Sequence, residues 1–181
     1  MRRAHPGEKV RLFVMDEARV GQQGTLTRVW ARTGSRPAAV RQTEYEWVYL
    51  WAAAEPATGR SVAMLTPGVD AAMMGLFLDG LSGTLAPDEH AVVALDNAGW
   101  HRAKSLAVPA NVSLLFLPAY SPELNPVERL WQWLRAHRLS NRAFDDYDHL
   151  LHSAAEAWDS LDEQTIKNVC ACSWAERALQ A

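Results

Sequence analysis

Apolar positions along this chain change period several times, and each change marks a predicted element. From Val10 to Asp16 (VRLFVMD) a short run of apolar, β-prone residues ends in a carboxylate, the pattern of a buried strand. Tyr45 to Ala54 (YEWVYLWAAA) and Gly59 to Leu65 (GRSVAML) are two more such runs, and the turn-like EPATG between them predicts an antiparallel hairpin. Val69 to Leu81 switches to helical spacing, with Met73, Leu76, Phe77 and Leu81 on one face and a stop near Gly83. Ala91 to Asp96 (AVVALD) and Val112 to Leu117 (VSLLFL) are continuous apolar runs, separated by a short helix-like piece around Trp100 to Val108. Strands of that kind, alternating with helices, imply parallel pairing with both faces covered.

Between the first strand and the hairpin, GQQGTLTRVWARTGSRP predicts a loop with a short strand around Thr27 to Ala31 and a turn at Gly34 to Pro37. After Pro118, turn residues lead into VERLWQWLRAHRL, a helix with Leu130, Trp133, Leu134 and His137 at core spacing. Helices of about Asp145 to Leu161 and Asp162 to Leu179 close the chain. The order predicts an α/β fold of ribonuclease-H-like architecture: a mixed five-stranded sheet, three antiparallel strands then two parallel, flanked by helices. The early hairpin counts against the alternative of a plain doubly wound sheet.

At 181 residues the expectation is a single domain over 1–181, with its core at about 10–139 and C-terminal helices at about 143–179. A composition of 49% hydrophobic and 22% charged residues is that of a folded chain. No stretch approaches the roughly 20 apolar residues of a membrane span, and the N-terminus reaches charges before a signal-peptide core can form. A cytoplasmic protein with no membrane partner is therefore expected. Cys170 and Cys172 are read as ordinary helix residues.

A net charge of −3 argues at first against nucleic acid. Its distribution changes the picture. From Ala18 to Thr43 there are five arginines, Arg19, Arg28, Arg32, Arg36 and Arg41, and no acid, whereas eight acids lie between Ala143 and the C-terminus. The arginine-rich segment is a plausible phosphate-contacting surface.

Asp16 and Asp96 each end an apolar strand, where α/β sheets gather their functional groups, and Glu128 opens the helix after the last strand. Three converging carboxylates suit divalent magnesium, and two ions in such a cluster serve phosphodiester chemistry. Each residue also has a plainer role. An aspartate at a strand end caps a turn, and Asn125, Pro126 and Glu128 have the spacing of a capping box, with Asn125 as N-cap. Asn97 and His101 follow Asp96 and could orient a ligand or touch phosphate, or else cap a helix and pack. Glu17 should point to the face opposite Asp16 and is left out of the site. His5, His90, His149 and His152 show no metal-ligand spacing. Most of the eight tryptophans, Trp131 among them, fall at core positions. Trp100 and Tyr120, in loops beside the carboxylates, are candidates for stacking on an unpaired base.

The stretch Leu117-Pro-Ala-Tyr-Ser-Pro-Glu-Leu-Asn-Pro-Val-Glu128-Arg-Leu-Trp131 resembles the LPxYSPxLNPxExxW signature of DDE transposases of the mariner-like superfamily, in its bacterial insertion-sequence branch. Val14-Met-Asp16-Glu17 and Ala94-Leu-Asp96-Asn97-Ala-Gly-Trp-His101 resemble the first and second catalytic motifs of that family, so the likeness runs from about Val10 to Leu139. It implies that Asp16, Asp96 and Glu128 are a catalytic and metal-binding triad for two Mg2+ or Mn2+ ions. The implied reaction is hydrolysis at transposon ends and strand transfer into target DNA. DNA contacts are expected from Arg28, Arg32, Arg36, Asn97, His101 and Tyr120, and a homodimer on DNA is implied. Family members carry helix-turn-helix domains ahead of this region. Only about ten residues precede the first strand here, so that module is expected to be absent, which leaves three explanations open: a split or frameshifted gene with a separately encoded helix-turn-helix subunit, a truncated copy, or a fragment. A catalytically inert DNA-binding or assembly subunit, from a truncated or split gene, is the alternative, and a ribonuclease-H-like nuclease of other use is a third.

Overall fold

A computed structural model describes residues 5–22, 26, 28–38, 42 and 44–180. Five strands form one sheet: β1 (Lys9–Gly21), β2 (Trp47–Ala54), β3 (Ser61–Thr66), β4 (Glu89–Leu95) and β5 (Val112–Phe116). Their order is β3-β2-β1-β4-β5. β1 pairs antiparallel with β2, and β2 with β3. β4 lies parallel to both β1 and β5. This is the mixed ribonuclease-H-like sheet that the hydrophobic pattern predicts. The helices are α1 (Ala71–Gly83), α2 (Val127–Leu134), α3 (Tyr147–Asp159), α4 (Glu163–Cys170) and α5 (Ser173–Gln180).

Alternation along the strands divides the core into two layers. Leu12, Val14, Ala52 and Ala94 face Leu130, Trp131, Leu134, Leu150 and Ala154 of α2 and α3. Phe13, Met15, Trp51, Val93 and Leu95 face Met74, Phe77, Leu78 and Leu81 of α1. β4 is buried along its whole length, as a parallel strand covered on both faces must be. The last ladder pair between the two parallel neighbours β1 and β4 is Val14 with Ala94. Asp16 and Asp96 each stand two residues beyond it, level at one end of the sheet.

At the opposite end Glu89 is almost wholly buried and bonds Arg11 at 2.7 Å and Arg60 at 2.9 Å. Chiefly the Arg60 hydrogen bond, against the opposing effect of burial, holds its carboxyl down at about 2. Gly59 adopts φ +85°, and a Cβ added there would collide with the Glu163 carbonyl at the start of α4.

Several expectations need correction. β1 runs past Asp16 to Gly21, because its second half pairs with β2 through Val20 opposite Val48. Residues 28–31 form no strand and are exposed, while Thr27 and Arg41 lie outside the described residues. Residues 100–108 make turns closed by His101 N–H to Ala98 O and Leu106 N–H to Ala103 O, not a helix. α1 buries Met74 and Leu78, leaving Leu76 56% exposed. In α2 Trp131 takes the core position, Trp133 is half-buried, and His137 is exposed beyond the helix in a single π-turn, Arg135–Leu139. The last predicted helix is two, broken at Ala171, whose backbone is extended at ψ 121°. Among the described residues no helix is long and apolar enough to cross a membrane.

Candidate active site

Asp16, Asp96 and Glu128 line one cleft of about 400 Å³ at the carboxyl end of β4, where the pairing of β1 with β4 stops, together with Asn97, Tyr120 and Asn125. β1 delivers Asp16 on the face that α2 covers, and α2 delivers Glu128 from its first turn. The capping box does not close. Asn125 accepts from the Val127 N–H through Oδ1 at 3.2 Å, but its own N–H bonds Pro122 O. Among the described residues the Glu128 carboxylate accepts no hydrogen bond, so it is available to the cleft.

Two side-chain amides hold the frame. Asn125 Nδ2 donates to Met15 O at 2.8 Å, fixing the loop before α2 against β1 one residue before Asp16. Asn97 Nδ2 donates to Leu117 O at 2.6 Å, joining the ends of β4 and β5. Asn97 is thus a strand-end clamp on the cleft wall rather than a helix cap.

Each aspartate has one oxygen engaged. Trp131 Nε1 donates to Asp16 Oδ2 at 2.9 Å. The Ala98 N–H at 2.9 Å and His101 Nδ1 at 2.8 Å both meet Asp96 Oδ1. Asp96 Oδ2 has no hydrogen-bond partner among the described residues, and the charged form of the Asp16 carboxyl is also favoured by the Glu17 backbone N–H. Burial raises the Asp16 carboxyl to about 7. The Trp131 bond opposes this, while the charges of Glu128 and Glu17 add to it.

His101 is closed off from solvent. Its side chain is fully buried behind Asp96, with Nε2 facing Glu17 Oε1 at 2.8 Å. Burial opposes its protonation, but Glu17 and then Asp96 outweigh that and raise its pKa. Glu17 does lie on the face opposite Asp16, and there it also accepts from Trp100 Nε1 at 3.1 Å. That bond ties Trp100 into the wall, half-buried, so it is not a free stacking platform. Tyr120 is free: it is wholly exposed at the cleft mouth with φ 58°, a conformation that a bulky residue seldom adopts. Arg28, Arg32 and Arg36 are exposed on the segment between β1 and β2 and do not line the cleft.

Sequence reasoning missed Glu17, Trp131 and Asn125 as site residues. It also missed that the fold brings His5, Glu8 and His90 together at the other end of the sheet, with ligand atoms within 4.8 Å of one another. The His5 and His90 rings stack at 3.7 Å, which directs their lone pairs along two nearly parallel planes rather than onto one point. Cys170 is buried, its thiol pushed up to about 12, chiefly by burial.

Comparison with known proteins matches residues 11–151 to the family described as DDE superfamily endonuclease. Uncharacterized protein y4pE/y4sA of Sinorhizobium fredii (strain NBRC 101917 / NGR234) is 40% identical over 134 residues, 73% of this chain and 99% of that protein. Among solved structures, the Mos1 strand transfer complex aligns with a TM-score of 0.66 at 20% identity, over 92% of this chain and 52% of the Mos1 chain. The Mos1 mariner paired end complex with Mn gives 0.67 at 19% identity, over 92% and 53%. The chain therefore spans about half the length of these solved chains, and the likeness to them is one of fold.

Proposed function

This chain belongs to the DDE superfamily of endonucleases, and on that premise we propose that it is the catalytic domain of a DNA transposase. In this reading Asp16, Asp96 and Glu128 hold two divalent cations, Mg2+ or Mn2+. One observation carries it: three carboxylates share one cleft, and in both aspartates one oxygen is tethered by a ring N–H. Carboxylate oxygens are the donors that hard divalent cations take, and the buried Asp16, raised to about 7, gains most from a neighbouring positive charge. When bound, the ions would supply Lewis-acid activation of the attacking oxygen and stabilisation of the leaving one in phosphodiester cleavage.

The chain's own residues position the reaction. Trp131 and His101 orient the aspartates, and Asn97 and Asn125 fix the strand ends that carry them. Tyr120, exposed beside the carboxylates, offers a ring for a base next to the scissile phosphate. Arg28, Arg32 and Arg36 add contacts to the DNA backbone. The substrates are transposon ends and target DNA, and the chain acts as a homodimer on DNA.

The test is cleavage of a labelled duplex carrying a candidate element end, with Mg2+ or Mn2+, by the intact chain and by Asp96→Ala and Glu128→Ala. The reading expects metal-dependent cleavage that both substitutions abolish. Cleavage that survives both, or a chain that neither binds metal nor cleaves, overturns it, and the second result describes an inert assembly subunit.

A further inference from the structure

β1 carries two consecutive carboxylates past its last pairing with β4, and strand alternation sends them to opposite faces. Asp16 enters the cleft. Glu17 turns to the far side, where its carboxylate is 7% exposed and Oε1 meets His101 Nε2 at 2.8 Å and Trp100 Nε1 at 3.1 Å. The His101 ring, wholly buried, meets Asp96 Oδ1 with its other nitrogen at 2.8 Å. Asp96 itself is 60% exposed and stands just past the end of β4. An aspartate so placed would turn freely about its side-chain bonds if nothing held it.

We propose that Glu17 and His101 are positioning residues: Glu17 fixes the His101 ring, and the ring holds Asp96 with Oδ1 turned inward and Oδ2 offered to the cation. The inference rests on the reading of the cleft as a metal site. Trp100 keeps Glu17 from swinging, since its N–H bonds the same oxygen that faces the ring, and the two rings meet edge to face at 5.7 Å. One strand end therefore sets both aspartates, Asp16 directly and Asp96 through Glu17 and His101. The spacing of the two ligands is built before any cation arrives. Hydrogen-bonding partners that orient a metal ligand contribute to affinity by removing the cost of ordering it.

The two ring nitrogens have separate jobs, and substitutions can separate them. At position 101 an asparagine amide takes roughly the place of Nδ1, keeping the donor to Asp96. A glutamine amide takes roughly the place of Nε2, keeping only the contact with Glu17. The experiment is calorimetric titration of Mn2+ into the full chain, with thermal midpoints as a fold check, for His101→Asn, His101→Gln, Glu17→Gln and Glu17→Ala. His101→Gln and Glu17→Ala should weaken Mn2+ binding by about 10–100-fold, His101→Asn, which keeps the donor to Asp96 but loses the hold of Glu17, should weaken it less than His101→Gln does, and Glu17→Gln, whose amide oxygen still accepts, should stay within about threefold. DNA cleavage by the weakened variants should return at raised Mn2+. Equal affinities for the two His101 variants, both normal or both reduced, would overturn the proposal and leave His101 as packing. A wild-type chain that binds no Mn2+ would overturn the metal reading itself and this inference with it. Binding lost in Asp96→Ala but normal in His101→Gln and Glu17→Ala would overturn the positioning role alone.

Discussion

The indole N–H of Trp131 donates to Oδ2 of Asp16 at 2.9 Å, joining residues 115 apart in sequence. Trp131 is also part of the core between α2 and the sheet, where it lies 6.4 Å from Trp158. One side chain therefore couples the packing of the C-terminal helices to the orientation of a carboxylate that is proposed to hold metal. Trp131→Phe keeps most of the packing and removes the donor. It should weaken Mn2+ binding near neutral pH by about tenfold, corresponding to roughly 1.5 kcal/mol for a hydrogen bond to a charged group. The deficit should shrink as pH rises and Asp16 ionises without help. Calorimetric titration across pH checks both points; a deficit that does not vary with pH would assign the loss to packing.

Asp16 also sets a pH dependence. Its folded value, about 7, lies above the ordinary 3.8, so between these values the folded protein keeps a proton that the unfolded chain has released. The stability due to this group is full below the lower value and is lost as pH rises through the upper one. Melting of the metal-free protein should therefore show a midpoint that falls from about pH 5 to about pH 8, and Asp16→Asn should flatten that slope. Added Mn2+ should raise the midpoint more at the higher pH. An unchanged slope in Asp16→Asn would contradict the assignment.

Arg28, Arg32 and Arg36 are exposed on one acid-free segment. If they meet DNA phosphates, replacing all three by alanine should weaken binding whatever the sequence. It should also reduce the slope of log affinity against log salt by about 0.9 for each phosphate that is no longer neutralised. Fluorescence anisotropy at several salt concentrations measures it. An unaltered slope would remove this segment from the DNA surface.

Glu89 tests the opposite end of the sheet. Glu89→Ala leaves Arg11 and Arg60 without their shared partner and should cost about 3 kcal/mol, read by urea unfolding near pH 7. Because its folded value, about 2, lies below the ordinary 4.5, this stabilisation is present above the ordinary value and disappears as pH falls through the folded one. Mn2+ affinity should not change, since β4 places Glu89 and Asp96 at opposite ends.

The middle of the sheet was legible because β4 is buried on both faces, so that the apolar run AVVALD reports it directly. The second half of β1 was not. Glu17 and Arg19 interrupt its apolar pattern, and only the partner strand β2 extends it. The break at Ala171 carries no glycine or proline to announce it. In α1, Met74 and Leu78 displace Met73 and Leu76 because the sheet beneath chooses the buried stripe from an almost uniformly apolar helix. The three cleft carboxylates stood at strand and helix ends, where sequence can point to them. The groups that orient them could not be read, since Trp131 looked like core and Glu17 like the wrong face. Both inferences were correct as far as they went. The core tryptophan still has an N–H to donate, and the wrong face is the one from which His101 is held.

The most direct test of the central claim is to locate Mn2+ by its anomalous scattering in crystals of this chain grown with the ion. The account predicts Mn2+ peaks in the cleft lined by Asp16, Asp96 and Glu128, within ligand distance of their carboxylates. A cleft without Mn2+ at concentrations that support cleavage, or Mn2+ held only elsewhere on the protein, would contradict it.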